Sequence, residues 1–431
     1  MAKNANNKVS IWQSLHNAWK VQDIRKKLIY TFFMLILFRL VGVIPAPGVD
    51  YVRVKSAMSG SNLPLLDLVN MMTGSNFSNM TIMAMGITPY INSSIIMQLL
   101  TIAIPALERL SKSGPDGQKK IASITRYVTV VLAVIQAIGL VYSLGYIKSG
   151  WFNTVLVGVS MAAGTALAMW IGERITANGL GNGVSLLIFA GIISNLFNGF
   201  TSLIANAFSA TSLTPWLTLL AVLLFALVMI VVVTFVDMGV RRIQVQYAKR
   251  VTGRKMYGGQ SSILPLKVCS VGVMPLIFAY SFMAFPSTLI QLFGGSESGL
   301  GLWWSRYMNY YSPLYMIVTA LLIIAFTYFY TSISFQPDEM AKNIQQQGGV
   351  IPHVRPGKPT ADFLARTNNR LTLFAALFLA VLATLPNVFT VGLQTSVPFA
   401  ASSLLIAVSV VLETKRQLDD LLVSRNYDTL T

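Results

Sequence analysis

The chain is divided into long apolar runs from which charge is almost wholly excluded. They occupy residues 28–44, 82–104, 128–147, 152–171, 184–205, 215–236, 264–293, 314–335, 371–389 and 397–412. The first four are each close to the roughly 20 apolar residues that a helix needs to cross a bilayer. The pattern predicts an all-α integral membrane protein of about ten spans, whose interior does no charge chemistry.

The 32 Lys and Arg fall in alternate loops. One side holds the amino-terminal cations, Arg109 to Arg126, Arg174, Arg241 to Lys267, Lys342 to Arg370, and the tail Lys415, Arg416 and Arg425. The other holds Arg53, Lys55, Lys148 and Arg306, and Arg39 sits inside a run, as does Lys267 near the start of another. Lys and Arg are retained on the cytoplasmic side, so the expectation is a multi-pass cell-membrane protein with both termini cytoplasmic.

A net charge of +17 raises the possibility of nucleic-acid binding, but basic loops that set topology account for most of it. Cys269 has no second cysteine to pair with, and His16 with His353 do not make a metal site by themselves. No cofactor is expected. The first run follows a basic stretch but lacks a small-x-small cleavage site and ends in Arg39 and the Pro45-Ala46-Pro47-Gly48 turn, so it reads as a retained span. Ahead of it, Ile11, Trp12, Leu15 and Trp19 recur at helical spacing, as in a short interfacial helix.

Two places break the regular pattern. Residues 62–74 form an apolar, helix-like segment with Pro64 near its start and Gly74 at its end, too short to span. Two placements are open: flat on the outer surface, or a half-helix folded back into the protein, where irregular backbone lines a cavity. Asp67 favours an aqueous lining. The next span opens on Ile87, Pro89, Ile91, Asn92, Ser93 and Ser94, with Ile87 and Ile91 one turn apart on one face. The run Asn178-Gly179-Leu180-Gly181-Asn182-Gly183 resembles a phosphate loop superficially, yet lacks the Lys-Ser/Thr ending and a preceding strand. A hinge or tight turn is the expectation, ahead of Val184 and Ile188, again one turn apart.

These residues resemble a known family. Residues 81–98, TIMAMGITPYINSSIIMQ, resemble the second-span signature of the SecY family, the central subunits of the Sec translocase. Similar segments follow in the family's order: Phe38-Arg39-Leu40 through Gly48, ITANGLGNG at 175–183, RRIQVQYAKR at 241–250, LPLK at 264–267 and IPHVRPG at 351–357. The resemblance covers essentially the whole chain. It implies ten transmembrane helices in two pseudo-symmetric inverted halves of five, residues 28–205 and 206–413. These are flanked by a cytoplasmic segment at 1–27 and a tail at 414–431, with large cytoplasmic loops at 239–262 and 336–370. An unfolded chain would pass through the middle or leave sideways into lipid.

By the same resemblance, Leu63, Leu65, Leu66, Asp67, Val69, Asn70 and Met71 belong to a re-entrant plug half-helix. Ile87, Ile91, Val184, Ile188, Ile277 and Ile406 form a constriction ring, with Val184 where the bacterial pattern often has Ile. An apolar ring suits a pore that passes chains of any sequence, because it offers no fixed charge to trap them and gates by excluding water. Asn92, Gln136 and Phe285 mark a lateral gate. Arg241, Arg242, Lys249, Arg250 and Arg355 would dock the SecA motor or the ribosome, and basic loops also attract anionic lipids. SecE and SecG are the implied small subunits.

A secondary transporter of small solutes is the alternative, since it shares the span number and broken helices. Transporters usually carry an ion-coupling charge at midplane, whereas Arg39, Glu173 and Asp237 lie near span ends. An intramembrane protease would need a Ser-His dyad or facing Asp pair, and no His lies inside a run. The chain is therefore not expected to be an enzyme.

Overall fold

A computed structural model describes residues 19–49, 76, 79–144, 151–209, 214–247, 250–252, 255–257, 261–269, 272, 274–293, 299–308, 312–393 and 401–428. The sequence candidates at 62–74, Ile11, Trp12, Leu15, His16 and Lys249 lie outside the described residues. The helices in chain order are α1 (Gln22–Val41), α2 (Thr88–Ala103), α3 (Pro105–Lys112), α4 (Pro115–Leu144), α5 (Trp151–Asn178), α6 (Gly183–Ser209) and α7 (Thr214–Asp237). Strands β1 (Val240–Tyr247), β2 (Arg250–Thr252), β3 (Lys255–Tyr257) and β4 (Ser261–Lys267) follow. Then come α8 (Met274–Phe293), α9 (Gly299–Tyr307), α10 (Pro313–Ser334), α11 (Pro337–Gln346), β5 (Gly349–Val350), α12 (Lys358–Leu393) and α13 (Ala401–Asp428).

Among the described residues, six helical stretches are long and apolar enough to cross a membrane: Pro115–Gly139, Trp151–Asn178, Gly183–Ser209, Thr214–Asp237, Pro313–Gln346 and Lys358–Leu385. A seventh arises if α2 and α3, bent by 102° at their junction, count as one span. The bend has a local cause. Ile104 is held extended at φ −108° and ψ 113° ahead of Pro105, which opens α3, as the residue before proline prefers. The first, seventh and last apolar runs fall on α1, α8 and α13, and both α1 and α13 extend into charged sequence. The seventh run also starts later than hydropathy suggests, because Leu264 to Lys267 complete β4 instead of opening a helix.

The chain divides into two compact units. The first comprises Met1–Leu219, Met283–Tyr310 and Ser396–Thr431. Within it α4 packs along α5, α2 along α4, and α6 against both α5 and α13, while α1 lies on α5 and α6. The centrepiece is α5, whose buried residues include the small Gly158, Ala162, Gly164, Thr165, Ala168 and Gly172 beside larger apolar ones such as Met161 and Ile171. Small residues let helix backbones approach closely where lipid supplies no hydrophobic driving force. A Cβ at Gly164 would lie only 2.1 Å from the Ile82 carbonyl oxygen. Ile82 itself belongs to a clasp in which its amide donates to Ile44 O (2.9 Å) and the Ala46 amide donates to Met80 O (3.1 Å).

The second unit, Leu220–Phe282 with Tyr311–Thr395, pairs α10 with α12 and carries an antiparallel sheet in the order β4-β1-β5. Strand β1 alternates: Ile243 and Val245 are buried, while Arg242, Gln244 and Gln246 are exposed. In register, Ile243 faces Leu264 and Arg241 faces Leu266. The inward side joins Ile344 of α11, Ile351 and Leu364 of α12 in one apolar cluster. Nearby, Phe278 of α8 stacks edge-on with Phe326 and Tyr330 of α10, at 6.2 and 5.9 Å between centroids.

Candidate pore seal and cytoplasmic docking face

The structure sets Ile87, Ile91, Val184, Ile188 and Ile406 in the first unit and Ile277 in the second. Ile87 is the residue that caps α2, at φ −97° and ψ 0°, and Pro89 occupies the first turn, where a missing amide costs nothing. Ile91 lies one turn into the helix. Ile87, Ile91, Ile188, Ile277 and Ile406 are all buried, at 6%, 6%, 2%, 5% and 5% exposure, and Val184 is half-buried. Ile406 lies on α13, which packs on α6, the helix of Val184 and Ile188.

The glycine-rich run before α6 is a tight turn, as expected, and its parts have separate duties. Asn182 Oδ1 accepts hydrogen bonds from the amides of Val184 (3.1 Å) and Ser185 (3.4 Å), so it caps α6. The Gly183 amide donates to Thr176 Oγ1 of α5 (2.9 Å). A Cβ at Gly183 would sit 1.9 Å from Gly172 O, and Gly181 adopts φ +84°. The Leu180 amide donates to Thr31 Oγ1 of α1 (2.9 Å), and Leu180 joins Ile24 and Leu418 of the tail in a buried cluster. The amides of Leu180, Gly183, Val184 and Ser185 are thus taken by Thr31, Thr176 and Asn182.

Of the lateral-gate candidates, Asn92 of α2 is half-buried and Gln136 of α4 is 9% exposed, on two helices that pack together. Phe285 precedes Pro286 inside α8. Of the basic candidates, Arg241 and Arg242 are exposed on β1 and Arg355 is exposed between β5 and α12, where its carbonyl accepts from Thr360 Oγ1 (2.8 Å). Arg250 begins β2, in the short hairpin with β3.

Sequence reading missed several contacts. Arg126 of α4 donates to Glu173 of α5 (2.8 Å), tying two spans by an ion pair of residues distant in sequence. Arg39, a cation inside the first run, donates from Nη2 to the Ala190 carbonyl of α6. Cys269 lies just past β4 beside a cavity of about 10 Å³ that Thr327, Thr331 and Thr372 also line. Burial, reinforced by Asp237, pushes its thiol up to about 12.

The SecY family profile matches residues 81–415. A protein translocase subunit SecY of Streptomyces scabiei is 41% identical, with 95% of this chain and 98% of that protein covered. The corresponding subunit of Halalkalibacterium halodurans is 40% identical, with 97% and 99% covered. Among solved structures, a protein-conducting channel superposes with a TM-score of 0.68 at 20% identity over 92% of each chain. The channel of a canine ribosome complex from the endoplasmic reticulum does so at 0.63 and 18% identity, again over 92% of each. The shared architecture and the near-full-length identity to translocase subunits agree: this chain belongs to the SecY family.

Proposed function

We propose that this chain is the protein-conducting channel of a Sec translocase, passing unfolded secretory proteins across the cell membrane and releasing hydrophobic segments sideways into lipid. The observation that carries this is the 41% identity to a translocase subunit over 95% of the chain. Ile87, Ile91, Val184, Ile188, Ile277 and Ile406 make the apolar seal, supported by their uniformly aliphatic character and burial. Such a ring grips a passing chain without offering it a hydrogen bond or charge to rest on. Residues 62–74 act as the plug; a SecY channel of the same fold (TM-score 0.67) has a plug domain that stabilises its closed state and maintains a membrane seal.

Asn92, Gln136 and Phe285 serve the lateral gate, and the termini face the cytoplasm. SecE and SecG complete the complex. The energy comes from SecA or the ribosome, docked on Arg241, Arg242, Lys249, Arg250 and Arg355, and anionic lipids attend the same charge. Support comes from the exposure of Arg241, Arg242 and Arg355 on or beside a structured sheet, where a partner meets fixed charges. Arg355→Glu is expected to abolish motor-driven export while the protein stays folded and inserted; unchanged export removes it from the docking face.

A photo-crosslinking residue in place of Ile188 tests the channel directly. A crosslink to a secretory precursor stalled during export, absent from a lipid-facing control at Leu224, is the expected result. A probe that meets only lipid and neighbouring helices while export proceeds refutes the pore assignment.

A further inference from the structure

An arginine inside an apolar run is costly in a membrane and is kept where it has a partner and a task. Arg39 lies in the last turn of α1, half-buried, and its guanidinium donates to the Ala190 carbonyl of α6. A helix carbonyl has two lone pairs, so this bond adds to the helix ladder without breaking it. Two residues before Ala190 stands Ile188, and six before it Val184.

A second pin joins α1 to the turn that leads into α6. Thr31 Oγ1 of α1 accepts from the Leu180 amide (2.9 Å) just before α6 begins, and Thr31 is 8% exposed. From Thr31 to Arg39 the rise along α1 is about 12 Å at 1.5 Å per residue. The chain from Leu180 to Ala190 advances by a comparable amount in the same direction. The two hydrogen bonds therefore bracket the first turns of α6, and Val184 and Ile188 lie between them. Neither bond is a sliding apolar contact, so together they fix α6 against movement along its axis relative to α1.

We propose that Arg39 is a positioning residue of the channel: it holds the first turns of α6 at the height at which Val184 and Ile188 close the seal. This rests on the ring assignment above. A register shift of α6 by even part of a turn moves both side chains out of a shared layer, and Arg39 with Thr31 resists that shift. Lys at this position keeps a donor on a flexible stem but loses the planar fork, so it retains part of the function.

The test uses the complete channel complex purified and reconstituted in vesicles, on a Cys269→Ser background. Spin labels at Ile36→Cys of α1 and Ile193→Cys of α6, both exposed positions, report the distance between the helices. Chloride flux through the idle channel reports the seal. Arg39→Ala is expected to shift or broaden the α1–α6 distance and raise the idle flux severalfold, Thr31→Val to do the same to a smaller extent, and Arg39→Lys to restore most of both. If Arg39→Ala does not accumulate, Arg39→Gln is read in its place.

Lowered thermal stability with wild-type distance and flux would make Arg39 merely structural and overturn the proposal. Ile188→Ser separates the two claims. If Ile188→Ser leaks while the Arg39 variants stay tight, the ring stands and the positioning role falls. If Ile188→Ser stays tight, the ring assignment itself fails, and the proposed action of Arg39 on the seal fails with it.

Discussion

The turn that launches α6 and the sheet that follows α7 are both fixed by specific contacts, yet they are held by opposite means. At the turn, hydrogen bonds from backbone amides to Thr31, Thr176 and Asn182 do most of the fixing, and glycines let backbones meet. In the sheet module, Ile243, Val245, Leu266, Ile344, Ile351 and Leu364 form an apolar cluster of the kind found in a water-soluble domain. Lipid offers no hydrophobic gain for helix association, so close approach and polar pins carry it. Outside lipid, each Å² of apolar surface buried gives about 25 cal/mol. The lesson is that the vulnerable positions differ: the missing side chain in one region, the bulky side chain in the other.

The contrast breaks first at Gly183. Adding any Cβ there places it 1.9 Å from the Gly172 carbonyl oxygen, with backbone on both sides of the clash. Gly183→Val is expected to lose more than about 4 kcal/mol, seen as failure to accumulate in the membrane. Normal abundance would mean that α5 and α6 separate freely. The corresponding change in the sheet module is Leu364→Ala, at a residue with 0% exposure. It is expected to cost about 2–5 kcal/mol, confined to the module. Limited proteolysis should then cut within residues 240–267 and 337–357 while the spans stay protected; cutting in the α5–α6 turn as well would show that the two regions fold as one.

How much of this was legible in the sequence follows the same division. Apolar runs foretold the long helices, and the glycine run foretold a turn, because both are local properties of composition and backbone freedom. The sheet was also locally encoded. Arg242, Ile243, Gln244, Val245 and Gln246 alternate with the strand period, but so basic a stretch equally fits a solvated loop. Leu264, Pro265 and Leu266 were absorbed into the adjoining run because hydropathy alone does not separate an edge strand from a helix start. Arg39 stands out as a charge within the first run, yet its acceptor is a backbone carbonyl, which no side-chain pattern announces. The pairing of Arg126 with Glu173 depends on how α4 lies along α5 and is equally silent in one dimension. The ring residues are expected through family likeness alone; their types do not distinguish a seal from an ordinary core.

Thr31→Val sharpens the comparison at smaller scale. It keeps the shape of the side chain, removes the acceptor for the Leu180 amide, and leaves the apolar contacts of Leu180 with Ile24 and Leu418 in place. Loss of about 1–3 kcal/mol is expected from an unsatisfied buried amide, measured as a fall in thermal midpoint of the purified complex. An unchanged midpoint would assign the junction to its apolar cluster and make it resemble the sheet module after all.

Cys269 lies at the border between the two regimes, between β4 and α8, and its thiol reports which one governs there. Burial, then the nearby Asp237 carboxylate, raises its pKa to about 12 from an ordinary 9.0. The sign follows from linkage. Below about pH 9 the thiol is protonated in both folded and unfolded chains, so it adds no pH dependence. Between 9 and 12 the unfolded chain gives up the proton first, so stability falls as pH rises through that window. Cys269→Ser is expected to flatten this part of the stability profile and to leave the profile at neutral pH unchanged. Because the thiolate is the reactive form, maleimide should label the folded protein slowly at pH 7–8 and rapidly after unfolding. Fast labelling of the folded protein at neutral pH would mean that water reaches the strand–helix border, and that the packing of α10 and α12 beside it is looser than the buried threonines Thr327, Thr331 and Thr372 indicate.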